Sequence, residues 1–245
     1  MKALRKFLVI TSIGLSAIFI KGCSDSDTIV NDIDELTAEQ QVAVDYFKDI
    51  ALGFEFGNAS DVTRKWNTDV IIYVEGEENE VLLSELDVIL NDLDELIPDS
   101  EIELRLTENE SESNFFVFLG PGSDYADINP SAANFVASNF GLFFVRFNSL
   151  NYITSASMYV DTERPAVLNQ RHLLREELTQ ALGMAQDSPR FQDSIFQINY
   201  SGTATEYNRY DEAIIRMLYH PEMRTGLNEV GVDPILREIV QEVIE

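Results

Sequence analysis

The stretch Arg171 to Gly183, RHLLREELTQALG, gathers the residues of this chain best suited to chemistry. Glu176 and Gln180 stand four apart and stack on one helical face, with Glu177 beside them. A carboxylate so placed can serve as a general base or as one ligand of a hard cation. His172 lies four residues before Glu176, so a His172–Glu176–Gln180 row could hold a metal ion. The same histidine could equally cap or hydrogen-bond neighbouring groups. Glu176 and Glu177 could form an acid–base pair, although neighbours on a helix point about 100° apart. Arg171 or Arg175 could simply neutralise them.

These residues need a helix to carry them. Leu174, Leu178, Ala181 and Leu182 recur at helical spacing, and Gly183 suits a left-handed stop. Earlier in the chain, Thr37 and Gln40 form a capping box, followed by Val44, Phe47, Ile50, Ala51 and Phe54, with Gly53 and Gly57 ending that helix. Val70–Val74 is a short strand. Leu82, Leu86, Ile89, Leu93 and Leu96 give a second helix one apolar face, with Glu85, Asp87, Asp92 and Asp94 on the others and Pro98 closing it. Ile102, Leu104 and Leu106 alternate as a half-buried strand, and Phe115–Leu119 suits a central one. Pro121–Asn139 reads as a long loop. Leu142–Phe147 and Ile153–Val160 are strands, an irregular stretch runs to Asn208, and helices follow over Tyr210–Tyr219 and Pro234–Ile244. Neither a repeat nor a linker interrupts residues 37–245, which predicts one α+β domain. Trp66 is expected as a core anchor at the start of the first strand. His220 is expected beside the last carbonyls of its helix.

The formal charge is −26, and residues 1–22 contribute only the bases Lys2, Arg5, Lys6 and Lys21. Without them 13 basic residues face 43 acidic ones. Such a surface repels phosphate backbones and excludes nucleic acid as a natural partner. It is a solvated acidic coat that also attracts divalent cations.

The chain holds one cysteine, Cys23, so no intrachain disulfide forms. Lys2, Arg5 and Lys6 precede an apolar run from Phe7 to Ile20, the shape of a secretory signal. Ile20-Lys21-Gly22-Cys23 resembles a bacterial lipobox, with Lys21 where a small or apolar residue is usual. The resemblance implies cleavage after residue 22 and lipid attachment, palmitate included, at Cys23. Ser24 after the cysteine implies sorting to the outer membrane, facing the periplasm. Residues 23–36 would then be the lipidated cysteine and an acidic tether. A short uncleaved anchor is the alternative.

The central helix resembles that of metzincin-type zincin metalloproteases, whose frame is His-Glu-x-x-His-x-x-Gly-x-x-His. Here it reads Glu176, Glu177, Gln180, Gly183 and Gln186. Ser194-Ile195-Phe196 resembles the turn beneath the metal in those enzymes, with Phe196 in the methionine position. DEAIIRMLY, Asp211–Tyr219, resembles the acidic helix that follows. The implied fold is a zincin-like mixed sheet with an active-site-type helix and C-terminal helices. ALGFEFGNASDVTRKW, REELTQALG, DSIF and IIRMLYHPEM also resemble a proteobacterial lipoprotein family known as domain of unknown function 2927, over essentially the whole mature chain.

In the metzincin frame the ligand positions hold Glu176, Gln180 and Gln186, and Glu177 stands at the general base. Catalytic zinc wants three strong ligands; one carboxylate and two amides suit Ca²⁺, Mg²⁺ or Mn²⁺, weakly. Without a metal to bring the pKa of water from about 16 towards about 7, a lone carboxylate is a feeble catalyst. The expectation is therefore an envelope lipoprotein whose degenerate protease-like domain binds or scaffolds an envelope protein or peptide, with no assigned cofactor. The alternatives are a metal-dependent hydrolase using Glu177 as base, and a purely structural lipoprotein.

Overall fold

The computed structural model describes residues 35–55, 59–98, 101–198 and 203–244. The signal-like segment, Cys23, most of the tether and Gly57 lie outside the described residues. Helix α1 (Ala38–Ala51) starts at the expected box: Thr37 Oγ1 accepts from the Gln40 amide at 3.2 Å, and Gln40 Oε1 accepts from the Thr37 amide at 3.0 Å. It ends at Ala51, short of Phe54, because Leu52 is extended and Gly53 turns at φ +97°. Phe54 instead lies 6.0 Å from Phe147, ring centre to ring centre, with the Arg64 guanidinium over both rings. Gln40 Nε2 also donates to the Ile244 carbonyl at 3.0 Å, so the two ends of the domain meet.

Six strands form one mixed sheet. Strands β1 (Lys65–Trp66), β2 (Val70–Gly76), β3 (Leu104–Leu106), β4 (Phe115–Leu119) and β6 (Tyr152–Val160) lie parallel in the order β1-β6-β4-β2-β3. Strand β5 (Gly141–Phe147) runs antiparallel along β6. This is the α+β mixed sheet expected from the sequence. β3 departs from the half-buried alternation: it is an edge strand of three residues whose Leu106 is exposed. β4 is central and sheds side chains into two cores. Phe115, Val117 and Leu119 join the main core, whereas Phe118 joins a smaller one with Tyr125, Ala132, Val136, Leu142 and Tyr159.

That smaller core explains why Pro121–Asn139 is not the loop expected. It holds helix α3 (Gly122–Ile128) and a 3₁₀ turn at Pro130–Ala132, which press Tyr125, Ala132 and Val136 onto the sheet. The opposite face carries α2 (Glu80–Leu96) and α4 (Val167–Gln180). The expected apolar face of α2 is buried, but so is Glu85, an acid read from the sequence as outward-facing. Helices α5 (Arg209–Leu218) and α6 (Glu229–Val243) pack with α1. α6 begins five residues before Pro234, capped by Asn228, so that proline sits inside the helix. Among the described residues no helix is long and apolar enough to cross a membrane.

Candidate functional site

Helix α4 is buried along almost its whole length from Gln170 to Gln180. It stops at Gly183 for two reasons: φ is +118°, and a β-carbon there would stand 2.1 Å from the Arg64 carbonyl oxygen. Trp66 seals the same junction from the core, its indole Nε1 donating to the Ala181 carbonyl at 3.0 Å. Tyr219 OH donates to the Leu182 carbonyl at 2.8 Å. The C-terminal end of α4 is thus fixed from β1 and from the end of α5.

The two flanks of α4 differ in charge. Arg171 and Arg175 do not neutralise Glu176 or Glu177; both reach to α2. Arg171 Nε meets Glu85 at 2.6 Å, and Arg175 meets Asp92 at 2.6 Å and Glu85 at 3.4 Å, with its guanidinium over the Tyr207 ring. The buried Glu85 is therefore a paired charge, which is what allows it inside.

The other flank opens on a cleft of about 330 Å³ between α4 and the start of β5. Glu176, Glu177, Gln180 and His172 line it from α4, Asn139 to Phe143 from β5 and its approach, and Glu55 and Asp187 from two loops. Gly141 makes room for Glu177, since a β-carbon on it would stand 2.5 Å from Glu177 Oε1. Arg164 fixes the approach to β5 by donating to the carbonyls of Val136 at 2.7 Å and Asn139 at 3.0 Å, and Tyr159 OH donates to the Asn139 carbonyl as well.

Gln186, third in the metzincin frame, is not among the cleft residues. Its side chain turns to the Leu52 carbonyl at 3.4 Å, and its neighbour Asp187 takes the cleft position. The cause is local. The chain leaves the helix after Gly183 and runs beside the end of α1, with Gln186 N–H donating to the Ile50 carbonyl and Glu55 N–H to the Ala185 carbonyl, both at 3.1 Å. In extended chain successive side chains alternate, so a helical count misplaces them by one. The same two bonds bring Glu55 to Asp187. Neither residue carries a signal in the sequence that could have placed it there.

Burial sets the protonation of the site. It pushes Glu176 and Glu177 well above the usual carboxylate range, and the neighbouring acids push the same way. Asp187 is pushed up to about 7, first by burial and then by Glu55, although the Gln180 amide donating at 2.7 Å favours its ionised form. Glu55 is raised by burial too. Burial lowers His172, which keeps it neutral. Its Nδ1 lies 2.7 Å from the Ala204 carbonyl and must carry the proton, leaving Nε2 as an acceptor 3.4 Å from Glu176 Oε2. A protonated Glu176 is the donor that completes this contact. No lysine or arginine pairs with Glu176 or Glu177 among the described residues.

The resemblance to zinc enzymes can be tested on these donors. Gln180 and Gln186 are neutral amides, poor zinc ligands, whose Nε2 groups donate to Asp187 and to the Leu52 carbonyl, and Nδ1 of His172 faces the Ala204 carbonyl. Among the described residues no three His, Cys, Asp or Glu side chains converge so as to hold a metal ion. The site does not fit catalytic zinc.

Ser194-Ile195-Phe196 is a buried brace away from the cleft lining. Ser194 Oγ meets Asp211 at 2.7 Å and Tyr46 OH at 2.6 Å, and it accepts the Phe196 amide at 2.9 Å. Burial pushes Asp211 up to about 6. His220 does not reach the last carbonyls of α5: its Nδ1 accepts the Glu222 amide at 3.2 Å, because the chain turns back at Pro221.

No curated protein matches the chain. Solved structures that are similar in part include two of myroilysin. "Structure of Myroilysin" has 10% identity over 64% of this chain and 83% of its own, at a TM-score of 0.39. "Crystal structure of myroilysin" has 12% identity over 76% of this chain and 98% of its own, at a TM-score of 0.41. Residues 40–238, most of the chain, match the family described as protein of unknown function (DUF2927), and the chain belongs to that family.

Proposed function

We propose that this chain is a lipid-anchored envelope protein whose domain binds an extended peptide segment without cleaving it. The observation that carries the binding reading is the edge of β5 beside the cleft. Phe140 accepts at its carbonyl from Asp161 N–H, so by antiparallel alternation the backbone groups of Gly141 and Phe143 point away from β6. β5 pairs only with β6 among the described strands, which leaves that outer edge for strand addition. Among the described residues no donor set holds a metal, which supports binding over metal-assisted hydrolysis. The anchoring reading rests on the signal-like residues 1–22 and on Cys23.

The test uses the purified protein and N-acetylated heptapeptide pools randomised over uncharged residues. Saturable binding is expected, with slower amide exchange at Gly141 and Phe143 and intact peptide by mass spectrometry. Cleavage that disappears in Glu177→Gln would establish the hydrolase alternative instead. For the anchor, Cys23→Ala is expected to move the protein from the membrane fraction to the soluble periplasm; unchanged fractionation would refute lipid attachment.

A further inference from the structure

Among the described residues the cleft holds four carboxyl groups, from Glu55, Glu176, Glu177 and Asp187, and no lysine or arginine lines it. An acidic cluster alone would be unremarkable in so acidic a chain. Glu177 sets this one apart. It is 7% exposed, lines the cleft, and its carboxyl has no hydrogen-bond or ionic partner among the described residues. Its oxygens are not sealed in the interior, so they open to a donor that enters the cleft.

The chemistry of that missing partner can be narrowed. A group that donates hydrogen bonds and carries positive charge would draw these acids towards their ionised form and pair with them there. Among the described residues no three donors converge to hold a bare metal ion. The acids reach the cleft from α4 and from two separate loops, so they approach from different directions. A compact ammonium with three rotatable donors suits that better than a planar guanidinium, which needs coplanar acceptors. Phe140 and Phe143 supply apolar surface along the same cleft, fitted to a methylene stem.

We propose that the cleft takes the ammonium group of a lysine side chain on the bound peptide, with Glu177 as its main counter-charge and Phe140 and Phe143 along its stem. This rests on the peptide-binding reading above. A free alkyl diamine carries the same chemistry and is the other possible source. The groups facing Glu177 are Glu176, Gln180 and His172 of α4, the acids Glu55 and Asp187, and Tyr125 and Tyr159 across the sheet, within reach of its charge. None is a cation at neutral pH. Burial favours the protonated form of these carboxyls in the empty cleft and an ammonium favours the ionised form, so binding releases protons and strengthens as pH rises.

The experiment measures binding of two N-acetylated, C-amidated heptapeptide pools, with lysine or norleucine fixed at the centre, and of 1,5-diaminopentane. The lysine pool is expected to bind at least about tenfold tighter than the norleucine pool at pH 8, with the ratio shrinking towards one at pH 5. Glu177→Gln, close in shape, should collapse the ratio. Glu55→Gln, at the exposed rim, should reduce it less and guards against misfolding of the first variant. Equal binding of both pools overturns the lysine inference and leaves strand addition standing. If only the diamine binds, and only with Glu177 present, the peptide reading falls and the cleft is a site for free amines. If nothing binds, both readings fall.

Discussion

Asp187 gives the most direct handle on the cleft. Unfolded, its carboxyl ionises near its ordinary value of 3.8; folded, burial and the Glu55 carboxyl push it up to about 7. Between those values the native state holds a proton that the unfolded state has lost. The resulting stabilisation is fully present below about pH 4 and is lost as pH rises through about 7. Each tenfold gain in proton affinity on folding is worth about 1.4 kcal/mol, so the rise from 3.8 to about 7 gives about 4 kcal/mol as an upper figure. Asp187→Asn removes the ionisation and keeps an oxygen to accept the Gln180 amide. Urea unfolding of both proteins from pH 4.5 to pH 8 provides the assay. The difference between them is the informative quantity, because Glu176 and Glu177 shift stability in the same direction and the acidic surface repels itself increasingly as it ionises. The variant should exceed the wild type by about 1 kcal/mol at pH 4.5 and by up to about 4 kcal/mol at pH 8. A difference that stays constant with pH, or a variant less stable at pH 8, would refute the account of the cleft as an unneutralised acid cluster.

Further outcomes follow from the packing and the donor set. Gly141→Ala drives a methyl group to 2.5 Å from Glu177 Oε1 and should cost about 1–3 kcal/mol in denaturant unfolding. Adding Glu177→Ala should restore most of that loss, and failure to do so would mean the clash lies elsewhere. Ser194→Ala strips a partner from Tyr46, Asp211 and the Phe196 amide at once, and should cost about 1–3 kcal/mol by thermal unfolding. Zn²⁺, Mn²⁺ and Ca²⁺ should leave the unfolding temperature unchanged. A stoichiometric metal lost on Glu176→Ala would return the hydrolase alternative to the front.

Local periodicity made much of the fold legible. The capping box of α1, the leucine face of α2 and the dense apolar run of β4 each express one period and one environment. What stayed hidden depends on partners distant in sequence. α3 shows only Tyr125 and a few small residues to its core, too sparse a stripe to mark a helix amid Gly, Ser, Asn and Pro. β1 has two residues, fewer than any pattern needs. Glu85 looks like surface because its partners, Arg171 and Arg175, lie more than eighty residues away. The site divides the same way. The spacing of Glu176, Glu177 and Gln180 can be read along one helix, whereas Glu55 and Asp187 join them through two backbone bonds between separate loops.

The bond from Gln40 to the Ile244 carbonyl bears on how this chain could be re-threaded. It sets the first turn of the first helix against the residue that follows the last. Lys48 and Asp233 stitch the same two helices together farther along. A short linker could join these ends into a ring, with new termini cut into the turn at Asn148–Asn151, where Asn151 already takes a left-handed conformation at φ 65°. Such a permutant would keep every strand of the sheet and the whole wall of the cleft. It would move the free ends of the domain from the junction of α1 and α6 to the turn between β5 and β6.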